Sequence, residues 1–415
     1  MLRMNHAGAK RVLDGLWGAA LLLIFIRPTL ADEWPLPRSL PDAIRMEKAN
    51  ALPITDFYST PSLAGTKPGA LLRQEDATGY STPKGARAVR ILYHSLDADS
   101  KSVVTSALVL IPAGTAPVGG WPIIAWAHGT TGVARMCAPS LQKDVAYGEE
   151  GLMPMVRAGF AVVATDYHGQ GTEGAHQYLN KVAHAHDVIY SVPAARAAVP
   201  SLGQRWVVDG HSQGGETAWS VAEMQATLKD PNYLGAVSVS GAADTAITLG
   251  KMGDPASTAA YYLLYVAFAV NERSTEFKPA DMLVGAGLKH YKDATTKGCW
   301  NYLYASFLDV KNTKVVKDGW MELPAVKRYM KGGELGAKPV GGPLLVITGE
   351  ADQTVPIEGV RATVLKACRN GINLNFRPYP GLDHDPTMDH STPDQLAWIS
   401  DRFAEKPFQG NCQSL

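Results

Sequence analysis

The sequence has few of the features that mark specialised classes of protein. Its 415 residues include only four cysteines, and none has the Cys-X-X-Cys spacing of a zinc ribbon or a thioredoxin-like redox site. The 39 basic residues are balanced by 39 acidic ones and form no basic block, so a nucleic-acid partner is not expected. Repeats and low-complexity linkers are also missing. With 46% hydrophobic and 19% charged residues, the chain is typical of a globular protein.

One apolar run has the flanks of a targeting segment. Three basic residues precede the run Leu16–Ile26, and Thr29-Leu30-Ala31 places small residues at the −3 and −1 positions of a cleavage site. The run is shorter than the roughly 20 residues that a membrane span needs. We therefore expect residues 1–31 to be a signal peptide, with no stable membrane insertion after cleavage and a secreted or periplasmic location. A retained anchor is the alternative.

Strand and helix patterns alternate along most of the chain. Candidates for buried parallel strands are 123–127, 161–165, 206–209, 236–240, 344–348 and 374–377. Candidate helices are 151–158, 181–198, 216–228, 358–368 and 394–403. Such alternation predicts an α/β fold, with a mostly parallel sheet that is covered on both faces. A hairpin is expected from 88–93 and 103–111, after an irregular N-terminal lead over 32–84.

The alternation breaks once, between Ser240 and Pro343. About 100 residues there contain no clear strand pattern, and Ala259–Val270 is apolar all round. We predict a helical cap or lid over residues 243–340, inserted into a core formed by 32–242 and 341–415.

The strongest motif is Gly210-His211-Ser212-Gln213-Gly214. An apolar strand pattern enters it and a helical pattern leaves it, which is the context of a nucleophile elbow. Glycines are needed at both ends because strand and helix pack too closely for side chains. The motif predicts Ser212 as a nucleophile. The alternative is a serine that only caps the following helix.

A serine nucleophile needs a base, and the base needs an acid that fixes its tautomer. Asp352 follows the strand pattern 344–348 and is the predicted acid, with Glu350 as the alternative. His384 follows the strand pattern 374–377 and is the predicted base, with His390 as its rival. The order Ser, Asp, His along the chain is that of α/β-hydrolases.

Acyl transfer also needs donors for the developing oxyanion. The backbone N–H of Gln213 is one candidate. Thr130, in the loop His128-Gly129-Thr130-Thr131-Gly132, is the preferred second donor, ahead of Thr131. The alternative for this loop is a plain glycine turn.

Other polar clusters are weaker candidates. His184, His186 and Asp187 scatter around a predicted helix, so we expect no metal site there. The segment Asp166–Gly171 follows a strand and has too few glycines for a dinucleotide fingerprint. No metal and no cofactor are predicted.

The sequence resembles the secretory lipase family of α/β-hydrolases, and its bacterial members in particular. The resemblance rests on several segments in order along the chain: Tyr58-Ser59-Thr60-Pro61, 67–69, 128–132, Cys137-Ala138-Pro139-Ser140, 165–171, 210–215 and 349–356. It implies ester hydrolysis on acyl chains, a helical lid after the strand that ends near Ser240, and two disulfides. The family's fungal members have an acidic side chain in the oxyanion loop, where this chain has Thr130 and Thr131.

Four cysteines allow three pairings. Cys368 ends a predicted helix and Cys412 lies in the tail that packs nearby, while Cys137 follows the Thr130 loop and Cys299 lies in the predicted cap. We expect the pairs Cys368–Cys412 and Cys137–Cys299.

These features favour a secreted serine carboxylic ester hydrolase, a lipase or esterase that acts on a small-molecule or lipid ester through an acyl-enzyme. The expected substrate-contacting residues are Thr131, Tyr167, His211, Leu264 and Phe268. Alternatives are an acyltransferase or peptidase on the same triad, or a binding module with a degenerate triad. For the helix 259–270, the alternative is a buried cap helix that touches no substrate.

Overall fold

A computed structural model describes residues 36–241 and 243–415. The predicted signal peptide, residues 1–31, lies outside the described residues. A single nine-stranded sheet runs in the order β1-β2-β3-β5-β4-β6-β7-β8-β9. Its strands are β1 (Leu71–Ala77), β2 (Arg87–Leu96), β3 (Ser102–Ile111), β4 (Trp121–Ala127), β5 (Ala161–Thr165), β6 (Leu202–His211), β7 (Tyr233–Val239), β8 (Leu344–Gly349) and β9 (Leu374–Tyr379).

Pairing within the sheet changes from antiparallel to parallel along the strand order. The pairs β1–β2, β2–β3 and β3–β5 are antiparallel, and the remaining five pairs are parallel. The predicted hairpin and all six predicted parallel strands are present. Strands β4 to β8 are almost fully buried, as expected for a parallel sheet with both faces covered.

Twelve α-helices accompany the sheet in the described part of the chain. They are α1 (Leu40–Asn50), α2 (Leu152–Arg157), α3 (Lys181–Ala198), α4 (Gln213–Leu228), α5 (Thr245–Met252), α6 (Leu263–Arg273), α7 (Pro279–Met282), α8 (Gly285–Thr296), α9 (Trp300–Ala305), α10 (Pro324–Gly332), α11 (Ile357–Arg369) and α12 (His384–Phe403). The five predicted helices are all found.

One helix begins ten residues earlier than the sequence pattern predicts. The helical pattern predicted a helix over 394–403. Instead α12 starts at His384 and continues through Pro393. The side chain of Asp383 caps it by accepting a hydrogen bond from the backbone N–H of His384. His384 therefore lies at a helix N-terminus and not within a loop.

The N-terminal lead is more regular than predicted. Ser39 caps α1, and β1 pairs along the edge of the sheet with β2. Strand β1 carries the polar run Arg73-Gln74-Glu75-Asp76 and is only partly buried, so its sequence lacks the apolar pattern of an inner strand.

Between β7 and β8, the described residues 243–340 form the helices α5 to α10. Among these described residues, an isolated antiparallel bridge pairs Leu283 with Val316. Two disulfides, Cys137–Cys299 and Cys368–Cys412, confirm the predicted pairing. The first joins this helical segment to the loop after β4.

Candidate active site

Ser212 lies at the sharp turn between β6 and α4. Its backbone has φ 60° and ψ −120°, a region that non-glycine residues rarely adopt. A methyl group on Gly210 would overlap the carbonyl oxygen of Gly214, and one on Gly214 would overlap that of Ala127. The side chain of Ser212 makes no capping hydrogen bond to α4, which argues against the interpretation of Ser212 as a helix cap.

Asp352 and His384 are brought together from the ends of β8 and β9. The Nδ1 atom of His384 lies 2.7 Å from Oδ2 of Asp352. The other carboxylate oxygen accepts hydrogen bonds from the backbone N–H groups of Thr354 (2.9 Å) and Val355 (2.7 Å). Because both oxygens are engaged, the carboxylate is held in place and Nδ1 of His384 carries its proton toward it.

The elbow contacts His384 through the residue beside Ser212. Nε2 of His211 lies 3.2 Å from the backbone oxygen of His384, and the two rings are 4.6 Å apart between centroids. Nε2 of His384 is buried and has no hydrogen-bond partner among the described residues. This nitrogen is therefore free to accept a proton.

Two opposing effects set the protonation of His384. Burial disfavours the charged ring, but the Asp352 carboxylate outweighs it and raises the pKa of His384 to about 9.

The two alternative candidates for the acid and the base, Glu350 and His390, lie at the surface. Glu350 is exposed and sits 3.9 Å from Arg361, while His390 is exposed and bonds the carbonyl oxygen of Pro386 at 2.9 Å.

The two predicted oxyanion residues face each other. Oγ1 of Thr130, after β4, lies 3.4 Å from Oε1 of Gln213. Gln213 is the first residue of α4, so its N–H has no partner within the helix. Thr131 is anchored differently, since its hydroxyl accepts from Gln170 (3.0 Å) and its carbonyl accepts from the N–H of Trp300 (2.8 Å).

The structure buries most of the residues predicted to contact substrate. Tyr167, His211 and Leu264 have no exposed surface, Thr131 is 6% exposed, and Phe268 is half-buried. The ring of Tyr167 packs between those of His128 and His184, each with its centroid 4.2 Å away.

One group of side chains has the spacing of a metal site. Ligand atoms of His211, His384 and Asp385 lie within 4.8 Å of one another. The cluster shares His384 with the Asp352 contact.

The polar residues on α3 point in different directions, as the sequence predicted. His186 bonds the carbonyl oxygen of Asp97, while Asp187 accepts hydrogen bonds from the hydroxyls of Ser95 and Thr105.

Several residues of the site carry no motif in the sequence. Tyr147 packs edge-on against Trp126 and His211, and a methyl group on Gly129 would collide with its hydroxyl. Tyr178 bonds Oγ1 of Thr130 at 2.9 Å. Neither belongs to a recurring pattern, and only their position in the folded chain reveals them.

This sheet order, with the elbow after β6 and the acid and base after β8 and β9, is that of the α/β-hydrolase fold. Solved structures with the same fold include lipase A of Candida antarctica in its closed state, with a TM-score of 0.71 and 18% identity over 86% of this chain and 88% of that one. A rice cell-wall-degrading esterase of Xanthomonas oryzae gives a TM-score of 0.68 and 18% identity over 82% of this chain and all of that one.

The family follows from the sequence. The family model described as secretory lipase matches residues 140–411, well over half of the chain, and the protein belongs to this family. A relative, Lipase 4 of Candida albicans, is 26% identical over 280 residues, which cover 64% of this chain and 60% of that protein. The matched region thus spans less than two thirds of that relative.

Membership of a secretory family and the two disulfides support the predicted export of the protein. No helix in the described part of the chain has the length and apolar character to span a bilayer.

Proposed function

We propose that the protein is a serine carboxylic ester hydrolase, a lipase or esterase, with the triad Ser212, His384 and Asp352. The observation that carries this proposal is the 2.7 Å contact between His384 and Asp352. It lies beside the elbow, because His211 contacts the backbone oxygen of His384 at 3.2 Å, and the hydroxyl of Ser212 caps no helix. Membership of the secretory lipase family and the lipase name of the Candida albicans relative support the same reaction class.

The geometry suggests roles for each group. Ser212 Oγ attacks the ester carbonyl while Nε2 of His384 takes its proton, and Asp352 stabilises the charged ring. The N–H groups of Gln213 and Thr130 stabilise the oxyanion of the tetrahedral intermediate. When the intermediate collapses, His384 returns the proton to the leaving alcohol. Water then attacks the acyl-enzyme by the same route and releases the acid.

The test is a Ser212→Ala variant assayed against a chain-length series of p-nitrophenyl esters. Without the hydroxyl, kcat should fall by several orders of magnitude while the melting temperature stays near that of the parent. His390→Ala is the matched control, because this exposed histidine should leave the rate unchanged. A phosphonofluoridate should add mass to the parent protein and not to Ser212→Ala. Retention of more than a few per cent of activity by Ser212→Ala would rule out this nucleophile.

The helical segment 243–340 is proposed to be a lid over the site. Its contacts with the residues around Thr130 support this role. Cys299 is bonded to Cys137, the N–H of Trp300 donates to Thr131, and the ring of Tyr265 on α6 lies 5.6 Å from that of Tyr178. The apolar helix α6 is therefore the proposed lining of the acyl pocket.

A further inference from the structure

A row of buried polar side chains joins the two proposed oxyanion loops. We call it the Gln213 row and define it as His176, His184, Gln213, Thr130 and Tyr178. Nε2 of Gln213 lies 3.3 Å from Nε2 of His176 and 3.5 Å from Nδ1 of His184. On the other side, Thr130 Oγ1 lies 3.4 Å from Oε1 of Gln213 and 2.9 Å from the hydroxyl of Tyr178.

The hydrogen bonds that link His176, Gln213, Thr130 and Tyr178 can have only one direction. Nδ1 of His176 lies 3.2 Å from the backbone oxygen of His168, which can only accept, so Nδ1 is protonated and Nε2 is an acceptor. Gln213 must then present its NH₂ group to the histidines and its carbonyl oxygen to Thr130. The hydroxyl of Thr130 donates to that oxygen and accepts from Tyr178. Each of these four groups is thereby held in a single orientation.

Burial keeps the two histidines in the required neutral state. His176 and His184 are each 1% exposed and Gln213 is 2% exposed. The histidine rings are stacked with centroids 5.1 Å apart. Burial lowers the pKa of His176 to about 3 and that of His184 well below its usual range. Since a protonated imidazole donates from both nitrogens, it could not accept from the Gln213 amide.

We propose that His176 and His184 are positioning residues for the oxyanion hole. They hold the side chain of Gln213, and Gln213 in turn holds Thr130, so that the backbone N–H groups of both residues converge on one point. The inference rests on the proposed ester hydrolysis, in which those N–H groups stabilise the oxyanion. A small displacement of such donors reduces the stabilisation of the transition state far more than it reduces the affinity for the substrate.

The main test compares His176→Leu with His176→Gln. Leucine cannot accept a hydrogen bond, so we expect kcat for a p-nitrophenyl ester to fall roughly 10- to 100-fold, with KM changed less than about threefold. Glutamine offers an acceptor oxygen and should restore much of the loss. Rates are expressed per active site, counted by phosphonofluoridate titration, so that misfolded protein does not enter the comparison. His186→Leu, on α3 and hydrogen-bonded to the carbonyl oxygen of Asp97 instead of to the Gln213 row, is the control and should keep the parent kcat.

Two further readouts separate positioning from a loss of stability. A boronic acid that mimics the tetrahedral intermediate should bind His176→Leu more weakly by about the same factor as kcat falls. Tyr178→Phe, a smaller change at the other end of the row, should also lower kcat. Combined with His176→Leu, it should cause a loss smaller than the product of the two single losses, because both act through Thr130 and Gln213.

The inference is overturned if His176→Leu keeps the parent kcat per active site, if His176→Gln is as impaired as His176→Leu, or if the two losses simply multiply. These results would leave the proposed function intact as long as Ser212→Ala is inactive. An active Ser212→Ala would instead contradict the proposed function itself.

Discussion

The pKa values of the histidines near the elbow are shifted in opposite directions by their surroundings. Burial without a carboxylate partner lowers the pKa of His128 to about 4, as it does for His176. His384 is equally enclosed, but Asp352 lies 2.7 Å from its ring and raises its pKa to about 9. Nearby carboxylates, Asp352 above all, thus distinguish the histidine that favours its charged form from those that burial keeps neutral.

This contrast predicts how activity depends on pH. The proposed base must be neutral, so kcat/KM should rise with pH up to about 9. In Asp352→Asn the carboxylate is lost and burial remains, so the acid limb should move to lower pH. The rate itself should fall by about three to four orders of magnitude, since the ring is no longer held in the correct tautomer.

The measurement is the pH profile of kcat/KM for both proteins. Asp389→Asn removes an exposed carboxylate beside His390 and should leave the profile in place. An acid limb that stays at the same pH in Asp352→Asn would show that Asp352 does not set the pKa of His384.

At the scale of the elements, α1 has a role that its position in the N-terminal lead does not suggest. The half-buried carboxylate of Glu47 accepts hydrogen bonds from the backbone N–H of Cys299 (3.1 Å) and of Tyr302 (2.7 Å). These are unpaired donors at the start of α9. Helix α1 therefore holds the same part of the helical segment that the Cys137–Cys299 bond ties to the core.

Glu47→Ala should destabilise the protein by about 1–3 kcal/mol, because it leaves these N–H groups without their charged acceptor. Glu47→Gln keeps one acceptor oxygen and should lose less. Thermal unfolding of both variants measures the effect, with Lys48→Ala as an exposed neighbour on the same helix. Equal melting temperatures for Glu47→Ala and Lys48→Ala would show that this contact adds no stability.

At the scale of the molecule, contacts hold the helical segment 243–340 against the core near residues 299–300 and again near residues 334–336. At the first attachment, the disulfide and Trp300 contact the loop after β4. At the other, the buried pair Lys181 and Glu223 (2.9 Å) holds the end of the segment. Lys181 donates to the backbone oxygen of Glu334, and the N–H of Gly336 donates to Glu223 at 3.3 Å. These contacts hold residues 299–300 and 334–336 of the proposed lid against the core.

Helix α6 precedes both attachments along the chain and is the element through which acyl-chain preference can be tested. Phe268 is half-buried, so Phe268→Trp adds volume where there is room for it. If α6 lines the pocket, this change should shift the preference toward shorter p-nitrophenyl esters, since a filled pocket excludes long chains more than short ones. Leu264→Trp, at a fully buried position, should shorten the preferred chain as well, with a larger loss of stability.

The readout is kcat/KM across the ester series, together with thermal unfolding. If both variants lose stability but keep the chain-length profile of the parent, α6 is a core helix and the pocket lies elsewhere.

The sequence by itself determined the features that depend on local patterns. Buried strands appear as short apolar runs, and the elbow appears as glycines at fixed offsets from Ser212, because its backbone leaves no space for other residues. The order of Ser212, Asp352 and His384 then follows from the order of the parallel strands. The contact between Asp352 and His384 was predictable for this reason.

Only the tertiary structure decided what depends on partners distant in the chain. Edge strand β1 is polar because one of its sides has no neighbour, and α12 passes through Pro393 because packing against the sheet outweighs one missing hydrogen bond. The Gln213 row brings together residues from the loop after β4, the segment before α3, α3 itself and α4, and the burial of Tyr167 and Leu264 arises in the same way. Hydrogen-bond direction and burial belong to the assembled neighbours and leave no periodic signal in the sequence.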